Sequence, residues 1–236
     1  MSKLGELLGK FLFPREFTCD ICGVETFKSN LCPVCYETVV FNNGYVCPVC
    51  GRKTAFPVIC LECKDNAPVF KKAVSPLVYE DGSKILIARF KNGNSYLNEY
   101  FANLIAEKVK ELPQIDSIVY VPMTEKAVRA RGYNQAELIA QSLAKQLNLP
   151  VIKNAVIKQK DSKEQKQLNR REREKNLKGC FKIENRTEIK NKNILLVDDV
   201  LTTGATSDAV CKILISAGAL NVFLATVASV EYRAEI

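Results

Sequence analysis

The sequence predicts an α/β domain on a parallel sheet with helices on both faces, preceded by a small cysteine-rich module, and three observations predict it. Eight of the ten cysteines fall between Cys19 and Cys63. From Ala73 onward strand-like and helix-like segments alternate, the pattern of βαβ units. Late in the chain a short apolar run, Ile194 to Val197, leads into two carboxylates and a Thr/Gly turn that opens a helix. At 236 residues the chain has room for one or two domains. We divide it into a lead-in segment (1–18), the cysteine module (19–70) and the α/β domain (71–236). No apolar run approaches the ~18 residues of a membrane span. The first residues, interrupted by Glu6 and Lys10 and followed by no small-residue cleavage site, read as a short lead-in helix and not a signal peptide. A cytoplasmic protein is therefore expected.

The cysteines come in four C-x-x-C pairs: Cys19/Cys22, Cys32/Cys35, Cys47/Cys50 and Cys60/Cys63. Two thiolates two residues apart in a tight turn can point at one metal, and two such turns complete a tetrahedron. The eight ligands thus predict two structural zinc ions. A disulfide scaffold is the alternative, but the regular spacing and the expected compartment disfavour it. The gap between knuckles recurs from Cys22 to Cys32 and from Cys50 to Cys60, which favours sequential sites, with a cross-braced arrangement left open. Four protein ligands leave no open position, so these metals replace a core too small to fold alone. The chain contains no histidine, which excludes imidazole general bases and Ser-His-Asp chemistry.

Beyond the module, Ala73 to Tyr79 reads as a strand, and Leu97, Tyr100, Phe101, Leu104 and Ile105 share one helical face. Asp116 to Pro122 is a buried strand ended by proline. Ala136, Ile139, Leu143 and Leu147 line a helix that stops before Pro150. Ile194 to Val197 suits a central strand ending at the carboxylates. Val210, Ile213, Leu214 and Ala217 form the packed face of the following helix, closed by Gly218, and Val222 to Val230 returns as a strand. In such folds ligands bind at the carboxyl ends of the strands.

That expectation falls on ILLVDDVLTTGAT, residues 194–206. Asp198 and Asp199 can accept hydrogen bonds from sugar hydroxyls, while the turn offers amides and hydroxyls to a phosphate at a helix N-terminus. The plainer reading is a strand end followed by a Thr203 cap. The net charge of +8 suits an anionic partner, although ordinary soluble proteins share it. The stretch closely resembles the phosphoribosyl pyrophosphate (PRPP) motif of type I phosphoribosyltransferases. The resemblance implies a type I phosphoribosyltransferase-like domain and PRPP bound with magnesium. Asp198 and Asp199 would then contact the ribose 2′- and 3′-hydroxyls, and Thr202, Thr203, Gly204, Ala205 and Thr206 would hold the 5′-phosphate. It also implies a pyrophosphate loop, for which VPMTEKAVRARGYNQ (121–135) offers Arg129 and Arg131. A basic loop is implied as well, and residues 158–178 carry nine Lys or Arg against four Asp or Glu. Either stretch could instead be a solvated basic face.

Taken together, the knuckles, F-K-N-G at Phe90 to Gly93, R-x-R-G-Y-N-Q at Arg129 to Gln135, then Gln165, Leu168, Arg173, Asn176 and Phe181 before DDVLTTGAT, resemble the ComF family. These are competence-related double-zinc-ribbon proteins with a phosphoribosyltransferase-like domain. Lys158 and Lys160 stand where arginines are common in that family, and Cys180 where alanine is usual. The resemblance implies a cytoplasmic protein that assists single-stranded DNA across the inner membrane in natural transformation, alongside a DNA-dependent ATPase or helicase. It implies Arg129, Arg131, Lys158, Lys160 and Arg173 as the groups that would serve any transfer step. Two alternatives stand beside it: a housekeeping phosphoribosyltransferase acting on a small nitrogen nucleophile, and a non-catalytic adaptor that keeps the fold. The two-part sequence also leads us to expect that Cys47→Ser would release one zinc and leave PRPP binding largely in place.

Overall fold

The computed structural model describes residues 17–26, 30–160 and 176–231. The expected lead-in helix lies almost wholly outside them, and so does the basic segment from 161 to 175, which contains Arg173. Phe17–Thr18 (β1) pairs antiparallel with Glu25–Thr26 (β2) at the start of the cysteine module. Two single-turn helices complete that module, Pro33–Glu37 (α1) and Leu61–Asp65 (α2), each beginning directly after a cysteine, Cys32 or Cys60.

The main sheet is parallel throughout. Its order is Ala73–Val74 (β3), Asn221–Ser229 (β9), Asn193–Leu201 (β8) and Ser117–Tyr120 (β5), with Leu77–Val78 (β4) pairing β9 further along. Residues 73–79 thus form two short pieces interrupted at Ser75 and Pro76. Proline cannot donate to a ladder, which confines it to such an edge. All of β5, Ile194 to Val197 in β8 and Val222 to Ser229 in β9 are buried. A sheet covered on both faces requires such continuous apolar runs.

Helix Asp81–Lys91 (α3) leads into Leu97–Val109 (α4), which buries Leu97, Phe101, Ile105 and Val109, spaced four residues apart. The Phe90 and Phe101 rings meet edge-on with centroids 5.4 Å apart. Thr124 caps Glu125–Arg131 (α5), and Asn134 caps Gln135–Leu147 (α6), each accepting a backbone N–H with its side-chain oxygen. After Val156–Lys158 (β6) and its antiparallel partner Phe181–Ile183 (β7), the chain enters β8, and Ala205–Ser216 (α7) links β8 to β9. The step from β3 to β5 crosses the sheet one way and that from β8 to β9 the other. Right-handed crossovers therefore place α4 on one face and α7 on the opposite one. Accordingly α4 packs on α6, while α7 packs on β8, β9 and the β6–β7 pair.

The cysteine module is seated on this domain along the β3–β4 edge. Phe41 bridges antiparallel to Leu77, Val78 N donates to Val40 O at 2.8 Å, and Ala73 N donates to Val49 O at 2.8 Å. Buried Asn42 ties the two parts, its Nδ2 donating to Gly51 O at 2.8 Å and Ser75 O at 3.0 Å. At Gly51, with φ +67°, an added Cβ would lie 2.5 Å from Ala73 O. No other residue fits that approach. The first half of the module is held too, since Arg89 donates to Ile21 O at 3.1 Å and the Tyr96 hydroxyl to Asp20. The module expected to loosen on its own is therefore joined to the larger domain by backbone and buried side-chain hydrogen bonds. A sheet edge left bare would expose unpaired backbone groups, and the module supplies their partners.

Candidate functional site

Two thiolate clusters form. The Sγ atoms of Cys19, Cys22, Cys32 and Cys35 lie within 4.8 Å of one another, and those of Cys47, Cys50, Cys60 and Cys63 do likewise. The sites are sequential, and the cross-braced alternative is not what the chain adopts. Cys22 Sγ and Cys32 Sγ are 3.8 Å apart, and Cys50 Sγ and Cys60 Sγ 3.7 Å. Zn–S bonds of ~2.3 Å at tetrahedral angles require S···S edges of about 3.8 Å, so both sets fit zinc. All ten cysteines are free thiols, which removes the disulfide alternative. The knuckle backbone supports the anionic sulfurs: Cys35 N donates to Cys32 Sγ at 3.4 Å and Cys60 N to Cys47 Sγ at 3.5 Å. Cys22 is exposed and Cys32 half-buried, whereas all four cysteines of the second cluster are buried.

The second candidate lies at the carboxyl ends of β5 and β8. The two strands stay in register to Tyr120↔Val197, and Val121 N makes a last bond to Val197 O at 2.9 Å before Pro122 ends the pairing. β8 continues, because β9 still pairs with Asp198, Val200 and Leu201. The carboxylates consequently sit inside the strand and not at its end, on a stretch whose β5 side is open. With no partner strand there, Asp199 N donates to Asp198 Oδ1 at 2.9 Å and Val200 N to Asp199 Oδ1 at 2.6 Å. A cleft of ≈ 900 Å³ opens at this step, floored by Asp198 and Asp199 and walled by Lys91, Lys126, Arg131 and Lys158.

Lys91 Nζ meets Asp199 Oδ2 at 2.7 Å. Burial, followed by the charge of Asp199, pushes the Asp198 carboxyl up to about 7, and Lys91 and Lys158 pull the other way. The cleft is thus cationic at its walls with two adjacent carboxylates at its base, suited to a ligand that carries both hydroxyls and anionic groups. Thr202–Gly204 follow on the same strand end. Gly204, at φ +81°, turns the chain into α7, and Thr203 Oγ1 accepts from Ala205 N at 3.4 Å.

The structure brings together Arg131, Lys158, Asp198 and Asp199. Arg129 and Lys160 line an adjoining cavity of ≈ 900 Å³ that shares Lys126, Asn134 and Lys158 with the first. Arg129 is exposed and paired with Glu125 at 3.1 Å, whereas Arg131 donates to Gln135 Oε1 at 3.0 Å. Both arginines stand on α5, where a loop was expected. Lys158 Nζ lies 5.8 Å from the centre of the Phe181 ring.

Sequence reasoning missed the roles of Lys91 and Tyr133. Tyr133 donates its hydroxyl hydrogen to Phe90 O, and the Tyr133 hydroxyl oxygen accepts from Gly93 N at 3.3 Å. F-K-N-G and R-G-Y-N-Q are thereby one assembly that carries Lys91 to the carboxylates. Both motifs stood out in the sequence, but nothing local in either announces the other.

The Double zinc ribbon domain family matches residues 8–64 of the chain and the Phosphoribosyl transferase domain family residues 130–235. Competence protein F of Haemophilus influenzae is 30% identical over 209 residues, 84% of this chain and 91% of that protein. Competence protein ComFC of Streptococcus pneumoniae is 30% identical over 164 residues, 69% of each chain. DNA utilization protein YhgH of Salmonella typhi is 29% identical over 170 residues, 69% of this chain and 74% of its own.

Proposed function

Because this chain belongs to the ComF family of double-zinc-ribbon, phosphoribosyltransferase-like proteins, we propose that it binds PRPP and serves single-stranded DNA uptake in natural transformation from the cytoplasmic side. The observation that carries the ligand reading is the carboxylate pair Asp198/Asp199 at the floor of a cationic cleft, directly ahead of the Thr202–Thr206 turn. The names of the relatives, competence and DNA utilization proteins, support the cellular role. Among the described residues no helix is long and apolar enough to cross a membrane. Contact with a membrane-associated process would then run through partners, a DNA-dependent ATPase or helicase among them.

In this reading Asp198 and Asp199 accept the two ribose hydroxyls, and the amides and hydroxyls of Thr202 to Thr206 hold the 5′-phosphate at the start of α7. Arg131, Lys126 and Lys158 face the pyrophosphate from the walls. Magnesium arriving with PRPP would neutralise pyrophosphate oxygens. The cleft floor offers it hard carboxylate oxygens without an all-protein cage, the usual manner for this ion. Lys91 orients Asp199 through their ion pair until the ligand arrives.

Calorimetric titration with PRPP and magnesium tests the assignment. Asp198→Asn/Asp199→Asn keeps size and removes two charges. Losing charge-assisted hydrogen bonds of about 1.5–3 kcal/mol each should weaken binding at least tenfold with the fold intact. Wild-type affinity in the double variant would remove these residues from the site.

A further inference from the structure

Arg52 is a buried cation with an unusual set of neighbours. It is 5% exposed and belongs to the second ribbon, two residues after Cys50. Its backbone is part of the knuckle: Cys47 N donates to Arg52 O at 2.9 Å and Gly51 N to Cys47 O at 2.9 Å. Its side chain leaves the module altogether, and the guanidinium donates to the carbonyl of Thr202, the first residue of the turn between β8 and α7. Among the described residues it forms no ion pair with a carboxylate, and its Nε is buried without a hydrogen-bond partner.

A guanidinium stays charged at any physiological pH, and an uncompensated buried charge is strongly unfavourable. The nearest source of compensation along the chain is the thiolate cluster, which with zinc carries a net charge of about −2. The knuckle therefore fixes the root of Arg52 and the metal centre offsets its charge, while the fork-shaped head reaches the turn 150 residues further on. The tight fit of Gly51 against Ala73 and the Asn42 bonds to both parts keep the distance fixed.

We propose that Arg52 is a positioning residue through which the metal-loaded second ribbon holds the Thr202–Thr206 turn in its ligand-binding conformation. The inference rests on the phosphate-binding reading of that turn. It gives the zinc module a role in the ligand site beyond its own folding. Loss of the second zinc releases the knuckle, withdraws the brace and weakens phosphate binding at a cleft that contains no cysteine.

The test uses the full chain carrying Arg52→Gln, which keeps an N–H donor but shortens it and removes the charge. Three readouts are taken: zinc per chain, hydrogen exchange at the amides of Thr203 to Thr206 without ligand, and affinity for PRPP with magnesium. The expected result is wild-type zinc content, exchange at those amides faster by roughly tenfold with Ile118 to Tyr120 unchanged, and PRPP affinity lower by roughly fivefold. Arg52→Lys should recover part of both losses. Unchanged loop exchange in a variant with full zinc content overturns the proposal. Faster loop exchange in a protein whose wild type binds no PRPP sustains the brace and defeats only the ligand reading. If Arg52→Gln does not fold, Arg52→Lys carries the test, with loop exchange equal to wild type as the overturning result.

Discussion

At the scale of single residues, Asp198 gives the protein a pH dependence whose sign can be worked out. An unfolded aspartate loses its proton near pH 4, whereas burial and the adjacent Asp199 push the folded carboxyl up to about 7. Between those values the unfolded chain binds fewer protons than the folded one, so stability of the unliganded protein falls as pH rises and levels off above 7. Asp198→Asn should flatten that fall and leave the apo protein more stable than wild type at pH 8, read from urea midpoints across pH 5 to 8. A slope equal to wild type would show that Asp198 is not the titrating group. Affinity for PRPP should move oppositely, rising through pH 7, because the ionised carboxylate is the better acceptor for ribose hydroxyls. The carboxylate pair and the T-T-G turn were legible in the sequence because they are contiguous. Lys91 was not, since it reaches Asp199 across more than a hundred residues, and no periodicity encodes such a pairing.

Among the elements, the two clusters differ in protection although their spacing is identical. Four buried thiols hold the second site, but the first has one exposed and one half-buried cysteine. Metal analysis should find about two zinc per chain, and a chelator should remove the first ion well before the second. Loss of both at one rate would show that burial does not govern release. For α6 the cap is the sensitive point. Asn134 accepts from Ala136 N and donates to Val121 O, each at 3.0 Å, and it is buried. Asn134→Ala should cost about 1–2 kcal/mol, measurable by urea unfolding, with an unchanged midpoint arguing against the cap.

Helices α4, α6 and α7 were readable from their apolar faces. Helix α3 was not, because it opens with Asp81 and Gly82, a pair that signals a turn, and Asp81 adopts φ +40°. The β6–β7 pair was equally silent, three-residue strands joined across a long charged segment. The strand expected to end at the carboxylate pair Asp198 and Asp199 runs on to Leu201 because β9 supplies the partner, a fact of pairing and not of local preference.

Across the whole molecule, the seam between the module and the sheet is built from backbone hydrogen bonds and the close approach at Gly51. Gly51→Ala would force a Cβ against Ala73 O at a left-handed φ. It should lower the unfolding midpoint of both parts together, and separate transitions would show that the seam matters less than its geometry indicates. The +8 charge bears on the nucleic-acid reading. Single-stranded DNA should bind more weakly as salt rises, and neutralising Arg170, Arg171 and Arg173, which lie outside the described residues, should reduce the log–log slope by about 2. An unchanged slope would move the contact elsewhere, with the ribbons the next candidate. One consequence of the strand order concerns synthesis. β3 and β4, near residue 75, find their partner in β9, which begins at Asn221. As the chain leaves the ribosome from its N-terminus, the cysteine knuckles can take up metal early and reach the edge they cover, but that edge lacks its partner within the sheet until β9 emerges. The nascent protein must therefore wait with β3 and β4 lacking their partner in the parallel sheet. A stop codon ahead of β9 would cost it the seam between module and sheet as well as one strand.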